Sequence, residues 1–317
     1  MKIRKKFFLE RCDSMKREFR PIAMINITNR CTLRCKHCFV YRKGTPNTPA
    51  PREMPKDVMI KKIKKYRGQF GIMRMVWMGG EPLLRKDVLT EGVKLFAQNT
   101  ITTNGTLPLL NLGSKTKWVV SLDGPEDTND EIRGKGCFQK VLTNLNDLPE
   151  DFLGDLQCNC VVNTQNEDSL ELLIKTLKDE SPLRGINFTF YVPRKIDTSG
   201  LGWKTLEKRD GAVKKVMDLK KKYPKFVLNN TMVLKLMLSQ NALDITNNCP
   251  VLNHMLPLYL GENGFERPFC CYGNDVNCDL CGAWAVFHLA ALMKLNPGWP
   301  GKVSQPFKNI TSADVLF

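Results

Sequence analysis

No stretch of this sequence reaches the roughly 18–20 consecutive apolar residues needed to cross a bilayer. The most apolar segment, 283–293, is too short and carries His288. A membrane-spanning protein is therefore not expected. The start, Met1 to Glu10, has neither the apolar core nor the cleavage site of a secretory signal, so the expected location is the cytoplasm. Internal repeats and low-complexity tracts are also lacking, which argues against solenoids and repeat arrays. Acidic residues are in short supply. The 32 Asp and Glu against 48 Lys and Arg give a net charge of +16 and a pI of about 9.3. That balance suits acidic partners such as nucleic acid, phosphorylated metabolites or an anionic membrane surface. It equally suits lysines that decorate solvated helix faces. Hydrophobic residues at 42% and charged residues at 25% are ordinary for a folded chain and argue against disorder. A length of 317 residues fits one large domain, or a core domain with a smaller tail.

Cysteine is plentiful, at 12 residues. A disulfide framework belongs to short secreted chains, and this chain reads as neither. The cysteines fall mainly in two groups, at 31–38 and 249–281, with Cys12, Cys137, Cys158 and Cys160 elsewhere. Such grouping points to metal. The basic first twenty residues carry Ile3, Phe7, Phe8, Met15 and Phe19 among their charges. They read as an amphipathic helix that packs on the protein body, with a peripheral membrane helix as the alternative.

From there the apolar pattern alternates between short strand-like runs and longer helix-like stretches. Strands are expected near 22–27, 73–77, 100–103, 118–122, 156–162 and 186–191. Helices are expected near 55–67, 86–98, 137–147, 168–179 and 206–223. This alternation implies an α/β fold with a parallel sheet, whose ligands sit at the carboxyl ends of the strands. The segments are a basic 1–20, a core domain over 21–239 and a tail over 240–317, irregular after Pro250.

Two motifs follow the first two expected strands. The first is Cys31-Thr-Leu-Arg-Cys35-Lys-His-Cys38. Three thiolates can hold three irons of a 4Fe–4S cluster and leave the fourth open, as a catalytic metal centre requires. A zinc site completed by His37 or a distant cysteine also fits this spacing. The second motif is Gly79-Gly80-Glu81-Pro82. Its glycines permit close backbone approach, and its carboxylate can accept from an ammonium group. Alone, it also reads as a strand-ending turn.

Taken together, the two motifs resemble the radical S-adenosylmethionine (SAM) superfamily over roughly residues 20–195. The resemblance implies a partial (β/α)6 TIM-like barrel. It implies a 4Fe–4S cluster on Cys31, Cys35 and Cys38, and SAM as the second cofactor. Gly79 to Pro82 match the segment that binds the methionine amino group. Thr103-Asn104-Gly105 and Ser121-Leu-Asp123-Gly124 match further family turns. In the subgroup with the second turn the Ser contacts SAM, and a later Arg, here Arg133, holds the SAM carboxylate. Asn163 and Tyr191 end strands at positions that flank the adenine. The family cleaves SAM with one electron to a 5′-deoxyadenosyl radical that attacks a substrate. An electron donor such as flavodoxin or ferredoxin is implied with it.

The tail holds Cys249-Pro250, Cys270-Cys271 and Cys278-Asp-Leu-Cys281. A second iron–sulfur cluster or a zinc accounts for so dense a group, with buried free thiols as the alternative. Adjacent Cys270 and Cys271 are poorly placed to share one metal. The layout of 230–285 resembles the hopanoid-biosynthesis adenosyl-hopene transferase family, which implies a lipid or other apolar substrate; a peptide or small molecule stays open. Two further function classes remain in view: a zinc-containing basic nucleic-acid-binding protein, and an iron–sulfur electron carrier. Both leave Gly79 to Pro82 without a role.

Overall fold

The computed structural model describes residues 18–41 and 53–295. Residues 1–17, most of the basic N-terminal segment, lie outside the described residues, as does Cys12. Eight strands form one sheet in the order β6-β5-β4-β3-β2-β1-β7-β8. They are β1 Ile22–Asn26, β2 Arg74–Met78, β3 Gln98–Thr103, β4 Thr116–Ser121, β5 Asp155–Val162, β6 Gly185–Phe190, β7 Met255–Gly261 and β8 Gly264–Glu266. Neighbours from β6 through to β7 run parallel, and β8 is antiparallel to β7. The first six strands fall within two residues of the sequence expectation at every end. Helices α1 Lys56–Phe70, α2 Lys86–Gly92, α3 Glu126–Arg133, α4 Cys137–Asn146 and α5 Leu170–Glu180 connect them. This is the mostly parallel α/β architecture of a partial barrel.

Strand periodicity builds the two faces. Ile25, Trp77, Ile101 and Trp118 sit in one register row and are fully buried. Gly92 lets α2 lie against Trp77, since a Cβ there would meet the indole at 2.3 Å. Trp77 Nε1 donates to Asn99 Oδ1 at 2.9 Å, so this indole buries its polar atom with a partner. Residues of the other parity, among them Met24, Val76, Val119, Asn159 and Asn187, face an internal cavity.

The sequence pattern misjudges two places. The helix expected over 86–98 stops at Gly92, passes through a 3-10 turn at Val93–Leu95 and is already strand at Gln98. The tail expected to be irregular instead supplies β7, which pairs with β1 from Met255 to Leu258 and extends the sheet. Its seven residues are all buried, so they show no alternation, and Pro257 reads as a strand breaker. The proline is accommodated because β8 pairs only with Tyr259 to Gly261. Beyond β6 follow α6 Leu206–Lys222, α7 Thr231–Leu236, α8 Ser239–Asn247, α9 Val251–His254 and α10 Trp284–Leu295. Among the described residues no helix is long and apolar enough to cross a membrane.

Candidate functional site

The carboxyl ends of β1 to β6 open onto one cavity of about 240 Å³. Cys31, Cys35 and Cys38 reach it from the loop after β1, Gly79 and Gly80 from that after β2, and Thr103 and Asn104 from the end of β3. Ser121, Arg133 and Tyr191 complete the group of expected residues on its wall. Residues as far apart in sequence as 31 and 191 therefore share one chamber. Glu81, Pro82, Asp123 and Asn163 do not line it.

The two glycines have a local cause. Gly80 N–H donates to Thr28 O, and Glu81 N–H to Arg30 O, both at 2.8 Å. A Cβ on Gly79, at φ 145°, would sit 2.3 Å from Thr28 O, and one on Gly80 would sit 2.1 Å from Arg30 O. The glycines thus seat the loop after β2 directly against the cysteine loop. Glu81 departs from its expected role. Its fully buried carboxylate turns away from the cavity and accepts from Leu83 N at 2.9 Å, Thr103 Oγ1 at 2.8 Å and Asn104 N at 2.8 Å. Burial pushes its pKa up against these three donors. Glu81 ties the loops after β2 and β3 together and shapes the wall from behind. Pro82 opens the 3-10 turn Pro82–Arg85 that follows it.

Asp123 is likewise a hidden anchor. Its Oδ2 lies 2.7 Å from Arg133 Nε and 2.5 Å from His37 Nε2, and its Oδ1 accepts from Val161 N at 2.7 Å. Burial opposes its ionisation, but the Arg133 charge and the His37 hydrogen bond outweigh that and hold the carboxyl well below its usual range. Arg133 Nη1 stands 3.9 Å from Cys35 Sγ. The guanidinium is therefore fixed beside the cysteines, with Asp123 on its inner side. Asn163 closes a local turn, donating to Val161 O at 3.0 Å and accepting from Gln165 N at 2.8 Å. Tyr191 contributes wall, with its hydroxyl 3.3 Å from Asp197 Oδ1 and 3.2 Å from Ser199 Oγ.

The sequence reading missed the partners that hold these groups. Asn104 Nδ2 donates to Thr32 Oγ1 at 2.9 Å and lies 3.5 Å from Cys31 Sγ; Thr32 in turn meets Thr106 at 2.8 Å. The His37–Asp123 contact bridges 86 positions and has no local signal. Asn159, Asn187 and Thr189 on the cavity wall did carry one: polar residues at the inward parity of otherwise apolar strands.

None of the eleven described cysteines is in a disulfide. Burial pushes the Cys35 thiol up to about 12, with Arg133 pulling the other way. In the tail, burial raises Cys249 to about 11 and Cys281 to about 12. Cys271 lines the same cavity as the first cysteine group, and Cys278 lines an outer groove with Lys195 and Phe269. Among the described residues no three Cys, His, Asp or Glu side chains converge where a single ion would sit. A cubane makes a different demand, since each thiolate binds a different iron.

Residues 25–177 match the model of the Radical SAM superfamily. The Fe-coproporphyrin III synthase of Methanosarcina barkeri is 30% identical over 176 residues, covering 51% of this chain and 42% of that protein. The GTP 3′,8-cyclase of Listeria welshimeri is 31% identical over 192 residues, covering 57% and 56%. The chain thus spans about half the length of these curated relatives. Among solved structures, Streptococcus suis SuiB bound to S-adenosylmethionine superposes with a TM-score of 0.60 at 15% identity, covering 76% of this chain and 59% of SuiB. Native anSMEcpe with bound AdoMet gives 0.59 at 17% identity, covering 84% and 80%. At these identities the structural likeness concerns the fold.

Proposed function

We propose that this chain, whose residues 25–177 belong to the Radical SAM superfamily, is an enzyme that holds a 4Fe–4S cluster on Cys31, Cys35 and Cys38 and SAM in the adjoining cavity. The observation that carries this reading is the single chamber shared by three thiols, two glycines and a fixed guanidinium. The donor set fits the cluster. Three thiols spread along one loop supply three ligands, one for each of three irons. The chemistry this pair of cofactors supplies when bound is one-electron cleavage of the SAM sulfonium to a 5′-deoxyadenosyl radical.

The protein's part is binding and orientation. Arg133, held from behind by Asp123, presents its remaining N–H groups to a carboxylate. Gly79 and Gly80 expose backbone at the cavity edge, and Ser121 and Asn104 offer polar contacts near the cysteines. Asp123 and Glu81 act through the residues they hold. Farther in, Met24, Val76, Val119, Phe190, Tyr272 and Trp284 give the chamber an apolar wall. That lining supports an apolar substrate, the class implied by the tail's resemblance to the adenosyl-hopene transferase family. The tail cysteine group at 249–281 is read as the source of ligands for a second metal centre. Reduced flavodoxin or ferredoxin is read as the electron source, and the cytoplasm, where thiols stay reduced, as the location.

A zinc-containing nucleic-acid binder or a plain electron carrier would leave the chamber without a purpose. The test is anaerobic reconstitution with iron and sulfide, then dithionite and SAM. Formation of 5′-deoxyadenosine that disappears in Cys31→Ala, Cys35→Ala and Cys38→Ala supports the reading. A colourless zinc protein without SAM cleavage, and with salt-sensitive nucleic-acid affinity, would sink it. An adenosylated lipid product supports the substrate class, and turnover of a peptide instead refutes it.

A further inference from the structure

Strands β4, β5 and β6 bring three polar side chains into one register row. Asn159 pairs with Ser121 on one side and with Asn187 on the other. All three line the barrel cavity. Neighbouring strands stand about 4.8 Å apart, so the row spans about 10 Å of wall. Asparagine is disfavoured in strands and costly to bury without partners. Two asparagines side by side at inward positions therefore need a physical reason.

Bonds within the chain do not supply it. Asn187 is 8% exposed. Its Nδ2 stands 3.4 Å from Gln157 Oε1, at the long end of the hydrogen-bond range, and its Oδ1 has no hydrogen-bond partner among the described residues. Trp284, which opens α10, repeats the pattern on the same wall. It is 6% exposed, and its Nε1 also has no hydrogen-bond partner among the described residues. Its place is fixed. Trp284 N–H donates to Thr189 Oγ1 at 3.1 Å, and Phe190 N–H to Gly282 O at 2.9 Å. Thr189 lies two residues beyond Asn187 on the same face, about 7 Å along the strand. The indole stacks on His288, with centroids 6.0 Å apart and planes at 22°. The wall thus carries one buried acceptor and one buried donor that the chain leaves unpaired. An apolar side chain of similar shape would cost the fold less. Charge is scarce here as well. Among the described residues that line the cavity none is Asp, Glu or Lys, and the one guanidinium, Arg133, is bound to Asp123 and stands beside Cys35. An ion brought to the asparagines would lose its water without gaining a counter-charge. A neutral group that both donates and accepts meets the needs of these atoms.

We propose that Asn159, Asn187 and Trp284 receive the polar group of the substrate, and that this group is an uncharged hydroxyl or carboxamide on an otherwise apolar molecule. The proposal rests on the reading of the cavity as the place of SAM and an apolar substrate, and adds to it the chemistry of the substrate's polar end. The apolar wall holds the carbon skeleton, and the asparagine row with the indole fixes which way round it lies.

The test uses the full chain, reconstituted anaerobically with iron and sulfide, and four probes that share one alkyl chain: octanamide, 1-octanol, octanoate and octylammonium. In calorimetric titrations the two neutral probes should bind at least about tenfold more tightly than the two ions, since an unpaired buried charge costs more than a paired neutral group. Asn187→Leu, Asn159→Leu and Trp284→Phe should each weaken octanamide about 2–12-fold, the range for one net hydrogen bond, and leave octanoate within about twofold. Without any probe, Asn187→Leu should unfold at the same urea concentration as wild type or a higher one, because it removes an unpaired buried amide. A lower midpoint makes that amide a strut and overturns its role; Asn159→Leu and Trp284→Phe then decide the rest of the site by binding alone. SAM affinity, by equilibrium dialysis, should change by less than about twofold in all three variants. A larger loss assigns the row to the hydroxyl groups of SAM itself and overturns the substrate role. Four probes that bind alike, or none that binds, overturn the proposal, and 5′-deoxyadenosine formation by the same wild-type sample then leaves the cofactor reading standing. Selective octanamide binding by a protein that never cleaves SAM supports the neutral site and defeats the cofactor reading instead.

Discussion

Asp123→Asn should be the most damaging single-atom exchange behind the cavity. The carboxylate is fully buried and holds Arg133 Nε at 2.7 Å, His37 Nε2 at 2.5 Å and Val161 N at 2.7 Å. The amide keeps the shape and one acceptor oxygen but leaves the Arg133 guanidinium, also buried, without its counter-charge. Breaking one partner of a buried ion pair costs about 3–5 kcal/mol. With a urea slope of about 3 kcal/mol per molar, suited to a chain of this size, the unfolding midpoint should fall by about 1–2 M. The pH dependence has a definite sign. The folded carboxyl titrates below its unfolded value, so its stabilisation is present above the usual carboxylate range and is lost as pH falls through the depressed folded value. The gap between wild type and variant should therefore be full at pH 7 and narrow only in strong acid. Urea melts of both proteins at pH 7 and at stepwise lower pH, without cofactors, provide the measurement. A variant within about 0.5 kcal/mol of wild type at pH 7, the scatter of a surface change, would refute the claim that this pair holds Arg133 in place.

Three further outcomes follow from the same geometry. Gly80→Ala puts a Cβ 2.1 Å from Arg30 O and 3.0 Å from Cys31 Cβ; the cysteine loop must shift, so iron bound at the first site, measured by colorimetric assay, should drop by more than half. Gly92→Ala meets Trp77 at 2.3 Å on the outer face; it should cost about 1–3 kcal/mol of overpacking in a urea melt and leave that iron content unchanged. Ser121→Ala should weaken SAM binding about 2–12-fold by equilibrium dialysis, the range for one net hydrogen bond of about 0.5–1.5 kcal/mol, with iron unaltered.

What could be read in the sequence divides along physical lines. The six barrel strands are local in origin: short apolar runs bounded by turns. Helices α1, α4 and α5 are amphipathic, so periodicity places them well. Helix α3, Glu126–Arg133, is so polar that it offers no apolar run, and its start after Pro125 is the only local cue. Strand β7 fails for the opposite reason, being buried along its whole length with a proline inside. The same contrast applies to the site. Cys31, Cys35, Cys38, Gly79 and Gly80 are dense in one loop or its neighbour and were legible. Glu81 was legible as important, but its direction was not, because two of the three donors that turn it inward come from the end of β3, 22 and 23 positions away. His37 with Asp123, and Arg209 with Cys281, are separated by 86 and 72 positions. No periodicity encodes such a pair; only closure of the barrel creates it. The motifs therefore supply residues that reach the cavity, while the charges that hold them in place come from residues the chain brings back from a distance. Substitutions at Asp123 should accordingly alter how well a group is held, and substitutions at the cysteines whether it is bound at all.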